Sequence, residues 1–355
     1  FYAMLLRDGF DGQGNPGEGQ KEAVLVVEDV LKERPGSQAA LFMRALLEEV
    51  APSIYPATVE TARRAVSANP FSASAHHLLG HCLFRTGDYE GASAAFKESE
   101  NLCLAWEKAE NVSPALDDAY FRSILYRAVS EFCAGRYKRA EAIASRAASV
   151  PLDKKHPLAP GTLLQLWEAR TLPARLMLAR PGLPRQALVL KAFPGPLPKG
   201  FPDLSNGMTA VASQYMGACY AARQGRTDAV ASAFDKMSGI LRLLMDGADA
   251  ARRQMSVSYW ARCLQTGSLY SSEIRSLMFP DSANVWMSEA IRSQRFSSLL
   301  LPPVVPYPAE WVLARAYLKA GKFRECADMC EQALKRFPNH AGVLETLDKA
   351  RSSGK

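Results

Sequence analysis

His77 and His81 are the residues whose type and spacing come nearest to reactive chemistry in this sequence. Four positions apart, their imidazoles share one helix face about one turn apart, the geometry used by zinc-binding helices. A metal needs a third ligand, usually a carboxylate or another histidine, and metal-dependent hydrolysis needs a general base too. The metalloprotease pattern sets a glutamate directly after the first histidine. Leu78 stands there, which closes that route. Asp117 and Asp118, at the start of a later helix, are the candidates for a further ligand. One alternative is therefore a metal-binding module or metal-dependent hydrolase centred on the His77/His81 helix. The reading preferred here needs no metal: Leu79 and Gly80 fill a helix crossing, and one histidine lines a groove.

Other catalytic signatures are missing. The sequence has no Gly-x-Ser-x-Gly elbow and no glycine loop with a phosphate-binding lysine. The glycine-rich stretch Asp8–Gly19 has spaced acids, but no glutamate in register at the twelfth position of a calcium loop, so it reads as a solvated insertion. Cys326 and Cys330 are separated by three residues along one helix, which is not redox-pair spacing, and they occupy core slots. The seven cysteines (Cys82, Cys103, Cys133, Cys219, Cys263, Cys326 and Cys330) are scattered among apolar residues. Such thiols behave as small hydrophobes and favour a reducing, cytoplasmic compartment. No enzyme activity and no cofactor are expected.

The chain has 355 residues with 43 basic and 36 acidic side chains, a net charge of +7. Its basic pairs (Arg63-Arg64, Lys154-Lys155, Arg252-Arg253, Lys335-Arg336) lie far apart with acids nearby, which favours solvated helix surfaces over a nucleic-acid face. No apolar run approaches the roughly 18 to 20 residues of a membrane span.

The elements that position these residues repeat. From Pro308, Leu313, Ala314 and Tyr317 share a face of a first helix, Gly321 makes the turn, and Phe323, Cys326, Cys330 and Ala333 line a second helix that Pro338 ends. The same order recurs with Leu79, Gly80 and Leu83 before Gly87-Asp88-Tyr89, then Ala92, Phe96 and Ser99. Weaker copies surround Gly135 and Gly225, and helices at about Gln38–Val50 and Pro56–Ala68 make a further hairpin closed by Pro70. At the front, Phe1–Leu6 reads as the first helix of a unit whose second half carries Ala23, Val27 and Val30. The spacing is irregular: Gly87 to Gly135 is 48 residues, against about 34 in an unbroken tetratricopeptide array. Extra residues fall in Lys97–Leu116, Lys191–Asn206 and Phe279–Ser282. Phe193–Pro202 holds four prolines, so it cannot be helical, and it reads as an ordered crossing. The second proline-rich stretch, Leu300–Pro308, is expected to pack along the array and deliver Trp311 to the core; the alternative is a polyproline docking ligand.

The units resemble tetratricopeptide repeats. More narrowly, Thr61–Pro70 followed by Ala75–Tyr89, and the approach Val304–Trp311 to the last hairpin, are similar to a group of bacterial tetratricopeptide-repeat proteins. That group shares an alanine-rich helix, a histidine-rich helix with two histidines four apart, matched by His77 and His81, and a late proline-led hairpin. This chain departs from it near Arg122, where the group has a histidine, and in lacking a proline between the paired histidines. The resemblance implies an all-α, right-handed α-α superhelix (solenoid) of irregular hairpins, with further repeats before Phe1. The whole of 1–355 is expected to be one array, with a possible sub-array boundary near 192–206.

A repeat array works by holding another molecule, so the expected function is a non-catalytic scaffold binding a protein or peptide segment in a groove. Aromatic and arginine side chains dominate such surfaces. On the inner helices the candidates are His76, His81, Arg85, Tyr120, Arg122, Tyr126, Trp167, Arg170, Gln214, Tyr215, Tyr259, Trp260 and Arg315.

Overall fold

The computed structural model describes residues 2–11, 13–52, 54–182, 184–247, 257–294 and 301–354. Phe1, Leu300 and the pair Arg252-Arg253 lie outside the described residues. The described secondary structure is helical apart from one isolated bridge, Phe10 to Pro16. Two compact units divide the chain, Phe1–Asn111 and Val112–Lys355.

Unit 1 contains α1 (Tyr2–Leu6), α2 (Glu18–Glu33), α3 (Gln38–Glu49), α4 (Pro56–Ala68), α5 (Ala73–Thr86) and α6 (Tyr89–Glu110). Consecutive helices pack on one another, most extensively α3 on α4 and α5 on α6. Apolar residues at helical spacing drive this: Ala3, Ala23, Val27, Ala40 and Leu47 form one buried cluster beneath Leu6, Val24 and Leu31. Gly80 lets α5 cross α6 closely, because a Cβ there would lie 2.8 Å from the ring of Phe96. The long spacing after Gly87 comes from α6 itself, which runs for 22 residues before Asn111 caps it at φ 53. The Asp8–Gly19 stretch is more ordered than a solvated insertion. Its acids turn onto their own backbone: Asp8 accepts from Gln20 N at 2.7 Å and Gly19 N at 3.1 Å, and Asp11 from Gln13 N and Asn15 N, each at 2.8 Å. Asp8 thereby satisfies orphan amides at the start of α2.

Unit 2 contains α7 (Asp118–Cys133), α8 (Tyr137–Ala148), α9 (Pro160–Leu164), a π turn (Gln165–Ala169) running on into α10 (Arg170–Ala179), and α11 (Gln186–Ala192). It continues through α12 (Asp203–Arg223), α13 (Thr227–Asp246), α14 (Val257–Met278), α15 (Ala283–Gln294), α16 (Ala309–Lys319), α17 (Phe323–Arg336) and α18 (Ala341–Ser353). The hairpins are α7 with α8, α12 with α13, α14 with α15, and α16 with α17. At the turns expected from sequence, Gly87, Gly135, Gly225 and Gly321 all take positive φ, between 69 and 81. The Phe193–Pro202 crossing is anchored by Leu197 and Phe201, both 8% exposed, and by Arg170 Nη2 donating to Gly195 O at 3.0 Å.

Candidate functional site

The segment Leu301–Pro308 has no regular structure and therefore no internal hydrogen-bond ladder. It is nonetheless buried: Val304 and Val305 are 2% exposed and Tyr307 is 3%. Buried carbonyls must find donors, and here side chains from several helices of unit 2 provide them. Tyr126 Oη on α7 donates to Leu301 O at 2.8 Å. Arg262 Nη2 on α14 donates to Pro302 O at 3.0 Å, and Arg175 Nη1 on α10 to Val304 O at 2.7 Å. Pro306 O receives His340 Nε2 at 3.3 Å and Cys133 Sγ at 3.7 Å. Gln294 Nε2 on α15 donates to Tyr307 O at 2.6 Å, while its Oε1 accepts from Ala309 N at 2.8 Å. The segment thus packs along the array, as its apolar content predicts, and leads straight into buried Trp311.

Each reader is itself held in place. Glu168 and Arg262 form a two-point ion pair, with Nε to Oε1 and Nη2 to Oε2 both 2.6 Å, and both side chains at most 3% exposed. Burial alone would push the Arg262 guanidinium down; the adjacent Glu168 carboxylate outweighs it and holds Arg262 above its ordinary value. The π turn presents Glu168. Pro173 lacks an amide proton, and this wider, interrupted stretch of helix leaves carbonyls free for side chains. Thr171 Oγ1 donates to Trp167 O at 2.5 Å and Arg175 Nη2 to Glu168 O at 2.8 Å. Arg175 also lies over the Trp167 ring, 5.1 Å from its centroid.

Tyr307 is the anchor of the segment. Its hydroxyl lies 3.0 Å from both oxygens of Glu273 on α14 and 3.2 Å from Tyr215 Oη on α12. Tyr215 donates to Glu273 at 2.5 Å and stacks on Tyr270 with centroids 4.0 Å apart. Burial pushes the Glu273 carboxyl up, and the two hydroxyls and Arg315 pull against that. Arg315 stacks over Trp311 at 4.4 Å.

The residues expected from sequence fall into two groups. Tyr120, Tyr126, Trp167, Tyr215, Tyr259 and Trp260 are buried, between 0% and 7% exposed. What Tyr126 and Tyr215 hold is the chain's own segment, and Tyr259 Oη meets Ser205 Oγ at 3.0 Å. Arg122, Arg170, Gln214 and Arg315 are half-buried, with Arg122 paired to Asp118. In unit 1, His81 is buried and its Nδ1 faces Glu49. His76 Nε2 lies 2.9 Å from Pro70 O. Arg85 Nη2 donates to Ala51 O at 2.6 Å and Pro52 O at 3.0 Å, closing the end of α3. His77 sets its ring edge-on to Phe96, 5.2 Å between centroids. Asp117 caps α7 through Ala119 N at 2.8 Å. Among the described residues no three His, Cys, Asp or Glu side chains are grouped to hold a metal, so the hydrolase alternative has no support. Burial also raises the thiols of Cys133 and Cys263 well above the ordinary range and Cys219 to about 12, which leaves little nucleophilic thiolate.

Sequence reasoning missed Glu168, Arg175, Arg262, Glu273 and Gln294. The available signal was charge on otherwise apolar helix faces: Arg262 and Glu273 sit among Trp260, Cys263, Tyr270 and Ile274.

Residues 55–101, spanning α4, α5 and the first half of α6, match the family described as Tetratricopeptide repeat. This stretch of the chain is similar to a tetratricopeptide repeat. Similar solved chains number 21. One is described as the crystal structure of the P58(IPK) TPR domain, 16% identical over 95% of this chain and 94% of that chain, with a TM-score of 0.30. Another is described as Naa15/Naa10 bound to HypK-THB, 13% identical over 95% of this chain and 61% of that one, with a TM-score of 0.21. No curated protein matches the sequence. Among the described residues no helix is long and apolar enough to cross a membrane.

Proposed function

We propose that the protein is a non-catalytic scaffold that binds a protein or peptide segment on the face made by the first helices of its hairpins. The observation that supports this most directly is that side chains of α7, α10, α14 and α15 and the cap of α18 already hold an irregular stretch of polypeptide by its carbonyls. Side chains donate to five carbonyls between Leu301 and Tyr307, and a pocket takes one tyrosine. This is main-chain recognition with a side-chain anchor, the logic of peptide grooves. The Glu168 and Arg262 charges at that face neutralise one another.

Half-exposed Arg122, Arg170 and Arg315, on α7, α10 and α16, are the positions from which a partner is reached. The test is a photocrosslinking amino acid at each of them in turn, with exposed Lys138 on α8 and Lys236 on α13 as controls. In native extract, discrete adducts are expected from the first-helix positions. Adducts no more frequent there than at the two controls would remove the proposal.

A further inference from the structure

We propose that unit 2 carries a second interaction surface, built around Arg275 on α14, that takes a carboxylate set beside an apolar side chain on a partner protein. Arg275 lies between two aromatic rings, 5.2 Å from the centroid of Phe234 on α13 and 4.8 Å from that of Trp286 on α15. At about 100° per residue, it stands about 200° round α14 from Glu273 and about 220° from Arg262. It therefore faces away from Leu301–Pro308, which those two side chains touch. The surface is separate from the first-helix face that holds that segment, and it does not depend on what that face binds.

Stacking occupies the flat faces of the guanidinium and leaves its edge, where all five N–H bonds point. Among the described residues that edge meets no carboxylate and no other hydrogen-bond acceptor. Other arginines of unit 2 behave differently: Arg136, Arg180, Arg262 and Arg336 each pair with a glutamate, and Arg122 with Asp118. Asp235, next to Phe234, and Asp281, in the turn between α14 and α15, are exposed and form no ion pair with Arg275. The two rings hold the fork in one orientation, so a carboxylate that docks on it freezes little further motion. A carboxylate meets such a fork with two parallel hydrogen bonds, which a neutral amide cannot match in strength. The large side chains that flank the stack in sequence are apolar and open to solvent: Leu277 is 40% exposed, Phe279 51% and Val285 60%. Charge complementarity thus calls for an acidic partner with an apolar neighbour beside the acid, and it repels a basic one.

The probes are N-acetyl-glutamyl-phenylalaninamide and its glutamine counterpart, each titrated into the full chain. Binding is followed by the indole N–H resonance of Trp286, assigned by its loss in Trp286→Phe. The glutamyl probe is expected to give a saturable shift with a Kd on the order of 1 mM. The glutamine probe should bind about tenfold more weakly, the change expected for one hydrogen bond to a charged group. Arg275→Gln, its helix content verified by circular dichroism, should lose the same factor for the glutamyl probe alone. No saturable shift, equal affinity for the two probes, or undiminished binding to the folded variant overturns the proposal. Acetate binding as tightly as the glutamyl probe overturns it too, since the apolar side chains would then contribute nothing. Should the variant not fold, the comparison of the two probes on the unaltered chain decides.

Discussion

Acidification from about pH 7 to about pH 5 is expected to weaken unit 2 chiefly through His340. The ring is fully buried, edge-on to Phe132 and Phe337 and tilted against Trp311. Its Nδ1 accepts from Val343 N at 3.4 Å, capping α18, and its Nε2 faces Pro306 O at 3.3 Å. Both uses require a neutral ring with its proton on Nε2. Burial lowers the ring's pKa from 6.5 to about 4, with Arg315 adding to the effect and the bond to Pro306 opposing it. Between these values the unfolded chain binds the proton and the folded chain does not. Stability is therefore complete above the unfolded value and is lost as pH falls from there toward the folded one. At about 1.4 kcal/mol per pKa unit, the full difference is about 3 kcal/mol, and about 2 kcal/mol of it is lost by pH 5. Glu273 acts in the opposite sense, since burial raises its folded value and protonation then favours the fold. A His340→Asn variant keeps a capping side chain, removes the titration, and carries the same Glu273 contribution. Urea unfolding of both proteins at the two pH values, followed by tryptophan fluorescence, should show the unaltered protein losing about 2 kcal/mol more than the variant. In parallel, the imidazole proton resonance that disappears in the variant should stay fixed across this range. A folded-state midpoint near the ordinary histidine value, or equal losses in both proteins, would refute the reasoning.

Two further outcomes are open to direct measurement. Glu168→Ala strands the Arg262 guanidinium and should cost about 3 to 5 kcal/mol in urea unfolding, whereas the Glu168→Met/Arg262→Met double variant should cost clearly less than the two single variants summed. Gly80→Ala drives a methyl to within 2.8 Å of the Phe96 ring, which is itself 0% exposed, and should destabilise unit 1 by about 1 to 3 kcal/mol; unchanged thermal unfolding and proteolysis would mean that the α5/α6 crossing has slack.

The hairpins were legible because their signals are local. Apolar residues at three- and four-residue spacing, glycines at turns that need positive φ, and prolines at helix ends specify each unit without reference to the rest of the chain. The expected helices at Gln38 and Pro56 begin where the structure begins them. The histidine pair also illustrates the limit of local spacing. Positions four apart place two imidazoles on one side of α5, but their partners are set by other helices, Glu49 from α3 for His81 and Phe96 from α6 for His77.

By itself, then, the sequence determined the helical hairpins, the turns between them, and the burial of the second proline-rich stretch. Only the tertiary structure decided what that stretch does. Its carbonyls need donors, and these come from positions as near as 13 and as far as 175 residues away, as with Gln294 on Tyr307 and Tyr126 on Leu301. Such pairings depend on which faces meet after the hairpins stack. No periodicity within a single helix encodes that. Arg262 and Glu273 were visible in the sequence as charges out of place on apolar faces, and their partners became readable only once Leu301–Pro308 was seen packed against them.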